Sequence, residues 1–210
     1  MARKPWGEAV QNRAEQFGLK RTAVLETAAR LIRRRGYENV SLGDIADELH
    51  IAKPTVYYYF KNKDELVREL ITISLGSFLD ATDHRSDYPL ADGLNGAQRL
   101  ERFIRRAVRI VLEDVGSSLV TTPSQFLEAG TRDRLNTESL PVLVMGEQCI
   151  RDGVADGSLA ACDIHSTYLF IVGALRYLPV WNHGQMTPAD DIADSLVNMI
   201  LNGLKARSNP

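Results

Sequence analysis

Lys53, Thr55, Tyr57, Tyr58, Tyr59 and Lys63 stand close together in the run IAKPTVYYYFKNK, and residues of these types share one chemistry. Ammonium groups and phenol hydroxyls bond phosphate oxygens, a threonine reads base edges, and flat rings lie against sugars or thymine methyls. Such a row is suited to gripping a nucleic-acid duplex. Val56 and Phe60, four apart, claim the buried side of the helix that carries it. Lys53, Thr55, Tyr58 and Tyr59 are then outward, with Tyr57 near the boundary. The competing explanation for three consecutive tyrosines is stacking within a core. Pro54 falls in the first turn of this helix, where its missing N–H costs little.

The surrounding pattern supplies the elements that must hold this row. Ser41 precedes the stripe Leu42, Ile45, Ala46 and Leu49, and Asp44 completes a capping box, so a helix of about two turns starts there. A break at His50 and Ile51 follows, which makes residues 41–60 two short helices around a tight turn. Upstream, Val24, Ala28, Leu31 and Ile32 recur at helical spacing from Lys20 to Arg35, and Gly36 stops the helix. Arg33, Arg34 and Arg35 either contact phosphates or suit the negative end of that helix. Residues 1–17, with Arg3, Lys4 and Arg13, read either as an arm reaching a phosphate or groove or as a partly disordered tail. Downstream, Asn62 with Glu65 three later opens a fourth helix carrying Leu66, Leu70 and Ile73 to about Asp83.

The remainder is helical by pattern. Residues 84–95, HRSDYPLADGLN, read as a loop. Leu100, Phe103, Ile104, Ala107, Val108, Val111 and Leu112 form one broad stripe, and Phe126 and Leu127 mark a shorter helix after Pro123. Pro141 begins or kinks a helix between Arg132 and Gly153. The last two helices span residues 163–182 and 188–206, the second capped by Thr187 with Pro188 at its first position. Both are apolar on several sides. A second subunit is expected to cover them, through faces around Leu175, Leu178, Leu196, Ile200 and Leu204 in a four-helix packing.

With 44% hydrophobic residues the chain of 210 supplies an ordinary core. No apolar run is long enough to span a bilayer, and the N-terminus lacks the apolar stretch of a secretion signal, so the expected compartment is the cytoplasm. Cys149 and Cys162 read as small apolar core residues. The net charge of -2 is unevenly spread: residues 1–70 carry 13 Lys+Arg against 10 Asp+Glu, and residues 71–210 carry 12 against 17. The basic part contains the duplex-gripping row.

AARLIRRRGYENVSLGDIADELHIAKPTVYYYFKNKDEL resembles the DNA-binding domain of the TetR family of bacterial transcriptional regulators, over roughly residues 18–78. IRDGVADGSLAACD resembles the glycine-containing turn that leads into the penultimate helix of these regulators, with Trp181 near that helix's end. The resemblance implies an all-α fold. An N-terminal three-helix helix-turn-helix domain (18–78, reader 41–60) is joined by a long helix to a C-terminal helical ligand-binding and dimerisation domain (79–210). It also implies a homodimeric repressor that binds an inverted-repeat operator in double-stranded DNA and is released by a small inducer. Carried over by position, Ser41 resembles the family's phosphate-binding hydroxyl, Lys53, Pro54 and Thr55 its base-facing residues, and Tyr57, Tyr58, Tyr59 and Lys63 its backbone clamps. Three positions depart from the pattern. His50 stands where glycine is common and a positive φ is required, Ala52 where the recognition helix is usually capped, and Gly43 where some members are basic.

Two rival classes meet the same residues. The four histidines are scattered, and no HExxH, GxSxG, P-loop or dinucleotide fingerprint occurs, so an enzyme, a metal site and a resident cofactor are not expected. A helical adaptor that binds only protein accounts for the body but not for the outward Lys/Thr/Tyr row. Pocket residues share an alphabet with the core. Phe103, Phe126, Tyr168, Arg176, Tyr177 and Trp181 are the candidates for contacting an inducer, a mix suited to an apolar molecule with a polar or anionic end.

Overall fold

Val24, Leu25, Ala28, Leu31 and Ile32 are all buried, and the stripe they form decides how the next two helices pack. A computed structural model describes residues 6–80, 89–90, 93–182 and 187–204 of the chain. Among these residues the structure is all-α. Helix α1 spans Trp6–Arg35, α2 Leu42–Glu48, α3 Lys53–Tyr59 and α4 Lys63–Leu79; α5 spans Gly96–Leu112, α6 Asp114–Thr121, α7 Ala129–Ala155, α8 Ile164–Trp181 and α9 Ala189–Leu204. The stripe of α1 meets Ile45 and Ala46 of α2, Val56 of α3, Phe60, and Leu66 and Leu70 of α4 in one core. Arg33 then fastens α1 to the body, donating to the Leu112 carbonyl at 2.8 Å and to Asp114 at 3.1 Å. That is a third role for an arginine expected to meet phosphate or the helix end.

Several sequence expectations change here. Helix α1 begins at Trp6, so the arm or tail expected before residue 18 is helical from there; its Ala, Glu, Gln and Arg residues are good helix formers. Arg3 and Lys4 lie outside the described residues. Helix α4 stops at Leu79 and not near Asp83, and the buried Arg106 closes it by donating to the Ser77 and Asp80 carbonyls. Ile73 is exposed; Leu66, Val67, Leu70, Ile71, Leu75 and Phe78 form the buried face. The loop expected at 84–95 falls largely outside the described residues, up to Asn95, which caps α5 with Gln98.

In the body, α5 is central and packs on α6, α7, α8 and α9. Helix α6 was not foreseen, because its eight residues include Gly116, Ser117 and Ser118 and show no apolar period. Conversely, the helix expected around Phe126 is a single 3₁₀ turn, Ser124–Phe126. Helix α7 runs through Pro141 without a break. Pro141 and Thr137, whose carbonyl loses its partner, are both exposed, so water can serve that carbonyl. Helix α9 starts one residue late, with the Pro188 carbonyl accepting the Ile192 N–H at 3.2 Å.

The largest correction concerns the expected subunit interface. Leu175, Leu178 and Ile200 are buried within this chain's own core and Leu196 is half-buried, because α8 and α9 both turn these faces to α5. The side chain of Leu204 lies outside the described residues. What α8 leaves exposed is a different stripe, Leu169, Phe170, Tyr177, Val180 and Trp181, joined by Met199 of α9.

Candidate nucleic-acid interface

The reader is built by local rules. Ser41 caps α2: its Oγ accepts the Asp44 N–H at 3.1 Å, while the Asp44 carboxylate accepts the Ser41 N–H at 2.8 Å and its hydroxyl. These bonds, the hydroxyl bond first, hold the Asp44 carboxyl below its ordinary pKa. At the turn, His50 adopts φ 54°, the left-handed conformation that glycine takes more easily. Ala52 makes no side-chain cap, and Pro54 sits in the first turn of α3, where no N–H is missed. Val56 and Phe60 are completely buried and set the roll of α3.

That roll presents Lys53, Pro54, Thr55, Tyr57 and Tyr58 outward, with Tyr58 73% exposed. The expected order of the tyrosines is partly reversed. Tyr57 is exposed, whereas Tyr59 is the boundary residue, because the Phe17 ring packs 4.9 Å from it and 5.8 Å from Tyr58. Phe17 comes from the part of α1 expected to be an arm or a tail, so an aromatic cluster braces the row from the N-terminal extension of a helix expected to start only at Lys20.

The absence of a side chain at Gly43 acquires a use. A Cβ there would lie 3.3 Å from Lys53 Cε and Nζ and 3.4 Å from Ser41 Oγ, so the Lys53 ammonium reaches across α2 into space the glycine leaves. Lys63 is more deeply engaged than expected. Its ammonium donates to the Tyr37 carbonyl at 2.7 Å and lies 4.0 Å from the centre of the Tyr37 ring, and burial pushes its pKa down. Ser41, Tyr57 and Lys63 nevertheless border one surface hollow of about 510 Å³. Lys61, also on its rim, is exposed and was missed; its only sequence signal is the Lys-Asn-Lys run at the helix boundary.

In the body, a cavity of about 350 Å³ opens between α4, α5, α7 and α8 and the segment after α6. Of the six expected pocket residues, Phe103, Tyr168 and Arg176 line it. The Tyr168 phenol is pushed up to about 12 by burial and so stays protonated. Its ring lies against Gly146 of α7, where an added Cβ would collide with it. Phe126, Tyr177 and Trp181 do not line the cavity. Phe126 instead stacks on Tyr37 with centroids 6.2 Å apart, and Tyr177 and Trp181 project from the outer face of α8. The cavity wall also includes Ile71, Leu75 and Phe78 of α4, the helix that leaves the reader.

Comparison with known proteins agrees with both halves of this geometry. Residues 24–70 match the family described as "Bacterial regulatory proteins, tetR family", and residues 93–204 match "Tetracyclin repressor-like, C-terminal domain". The chain belongs to the TetR family. As a TetR-family protein it is a DNA-binding transcriptional regulator with an N-terminal helix-turn-helix. Among curated relatives, it is 28% identical to the HTH-type transcriptional repressor KstR2 of Rhodococcus jostii (strain RHA1), over 90% of this chain and 93% of that protein. The structure of the ketosteroid transcriptional regulator KstR2 of Mycobacterium tuberculosis superposes with a TM-score of 0.75 at 18% identity, over 90% of this chain and 96% of that one. That of AibR in complex with isovaleryl coenzyme A and operator DNA superposes with a TM-score of 0.71 at 23% identity, over 85% and 96%. These two structural likenesses show the fold. No helix among the described residues of this TetR-family chain is long and apolar enough to cross a membrane.

Proposed function

We propose that this TetR-family regulator is a cytoplasmic homodimeric repressor that binds an inverted-repeat operator and is released by a small, mainly apolar ligand held in the body cavity. Residues 18–78 form the reader domain and 79–210 the ligand-binding and dimerisation domain, with α4 shared between them. Lys53, Pro54 and Thr55 face the bases. Ser41, Tyr57, Tyr58, Tyr59 and Lys63 hold the backbone, with Lys61 beside them. A helix as short as α3 reads only a few base pairs, so useful specificity needs two readers set roughly 34 Å, or a multiple of that, apart on the duplex. The exposed apolar stripe of α8, with Tyr177 and Phe170 74% and 67% exposed, supports a second subunit as its cover.

The observation that carries the ligand-response reading is that α4 forms both one wall of the cavity and the exit from the reader. A ligand beside Ile71, Leu75 and Phe78 that prefers a tilted α4 shifts the two readers out of register with successive grooves. Arg176 suits a polar or anionic end on that ligand, and the isovaleryl coenzyme A in the AibR structure, a short apolar acyl group on a polyanionic carrier, supports a ligand that joins an apolar part to an anionic one. Coupling of about 1–3 kcal/mol lowers operator affinity by roughly 5- to 150-fold. Titrating the chain with a labelled inverted repeat and with random DNA, at two salt concentrations and with and without ligand, tests the reading. Reciprocity requires ligand affinity to fall by the same factor when operator is present, and equal affinities in the two titrations would sink the mechanism.

A further inference from the structure

Leu169 belongs to two surfaces: it lines the body cavity, and at 53% exposed it is also part of the uncovered apolar stripe of α8. The turn of the helix explains this. Tyr168, Val172 and Leu175 give one side of α8 to the cavity; Leu169 and Arg176 form the next line around the helix, and Phe170 and Tyr177 lie beyond, on the outer face. Helix α7 is arranged alike. Its Ser139 and Leu143 line the cavity, while Leu140 and Val144, further round, are exposed. The two helices are antiparallel and touch near Gly146, where the Tyr168 ring lies against the glycine and His165 meets Glu147 at 2.7 Å. Away from that contact the exposed Asn136 and Arg176 stand in the lining, so the mouth opens there, with apolar side chains on both lips.

The size and chemistry of this surface fit a second copy of the chain. Leu140, Val144 and the α8 stripe with Met199 are each more than half exposed, and together present on the order of 800 Å² of apolar surface, about what each partner buries in a standard interface. Between Ser166 and Trp181 the only charged residue is Arg176, so two copies of the outer face of α8 meet without like charges at its centre. Gly173 is exposed midway along that face, and a Cβ built there would meet nothing within 4 Å. A glycine inside a helix is less stable than alanine by up to about 1 kcal/mol, and here it leaves room for a second helix to come close.

Resting on the reading that the cavity holds the effector and the chain pairs through α8, we propose that the second copy closes the cavity mouth, so that the effector site is complete only in the dimer. The apolar part of the effector lies inside, and its polar end leaves between Asn136 and Arg176, against the partner subunit. By linkage, each bound effector strengthens the dimer by the factor by which pairing strengthens its own binding.

The probe is 1-anilinonaphthalene-8-sulfonate, an apolar fluorophore with one anionic group, titrated into the full chain. Phe170→Lys with Tyr177→Lys should give helical monomers that bind it at least about 5-fold more weakly. Lysines are chosen because charge alone would favour an anionic probe, so weaker binding reports the missing subunit. Sedimentation of the wild type in a dilution series needs no variant, and the probe should tighten its dimer by at least the same factor. In Leu143→Trp, which fills the cavity, the probe should neither bind nor tighten the dimer. Monomers that bind with wild-type affinity, a wild-type dimer indifferent to the probe, or a lysine variant that stays dimeric overturns this proposal and leaves the cavity reading standing. Absence of probe binding in the wild type, or binding that Leu143→Trp leaves unchanged, defeats the cavity reading as well.

Discussion

The Asp64 carboxylate, in the first turn of α4, accepts the Glu128 N–H at 2.9 Å and the Thr131 hydroxyl, so the helix that leaves the reader is pinned to the start of α7. The Tyr37–Phe126 stack lies alongside, and the Lys63 ammonium lies over the same Tyr37 ring and donates to the Tyr37 carbonyl. Ser124 and Leu127, within the same short segment, line the cavity. Asp64→Ala is therefore expected to cost about 1 kcal/mol of stability and to raise amide exchange at residues 63–67 and 129–133 together. It should also narrow the factor by which effector weakens operator binding. Unchanged exchange at either helix start would show that the two do not move as one.

Lys61 and Lys63 are two residues apart but differently placed, and their substitutions should separate. Lys61→Ala removes an exposed cation, so it should weaken binding to all DNA sequences alike and lower the salt slope by about one unit with stability unchanged. Lys63→Met also removes the bond to the Tyr37 carbonyl and should lower stability by about 1 kcal/mol. Urea unfolding alongside DNA titration in a salt series distinguishes them. Thr55→Ala, by contrast, should relax base preference, and an equal loss on operator and random DNA would remove Thr55 from that role.

Charges on the outer face of α8 should produce folded monomers. Phe170→Glu with Tyr177→Glu changes two exposed side chains and leaves the chain's own core intact, so helicity should be retained while light scattering reports half the mass. Leu196→Glu with Ile200→Glu should instead unfold the body, since Ile200 is buried against its own helices. A dimer that survives the α8 substitutions would place the interface elsewhere.

The two cysteines should differ in reactivity. Cys149 is completely buried, and burial, with Asp152 nearby, pushes its thiol up to about 12, so the reactive thiolate is scarce at pH 8. Cys162 is half-buried. A disulfide-exchange reagent at pH 8 should titrate one thiol quickly in the native chain and two in guanidinium. Rapid reaction of both in the native state would mean that the α5–α7 core opens readily.

Local rules carried much of this protein into the sequence. The Ser41–Asp44 capping box, the break at His50, Pro54 in its first turn and the Val56–Phe60 pair each depend on residues within four positions of one another, so the reader was legible from its order alone. The same locality marked Asn62 as the start of α4. Which apolar face meets what was settled by the docking of the helices. Helices α8 and α9 are apolar on several sides, and a pattern cannot say whether Leu175 or Tyr177 faces the chain's own α5; packing buried the first and exposed the second. Nor does any periodicity reveal that Arg106 ends α4, that Phe17 braces Tyr59, or that Thr122 lines a cavity with its hydroxyl unbonded. Each of these joins residues far apart in the chain, and such contacts exist only once the helices have docked.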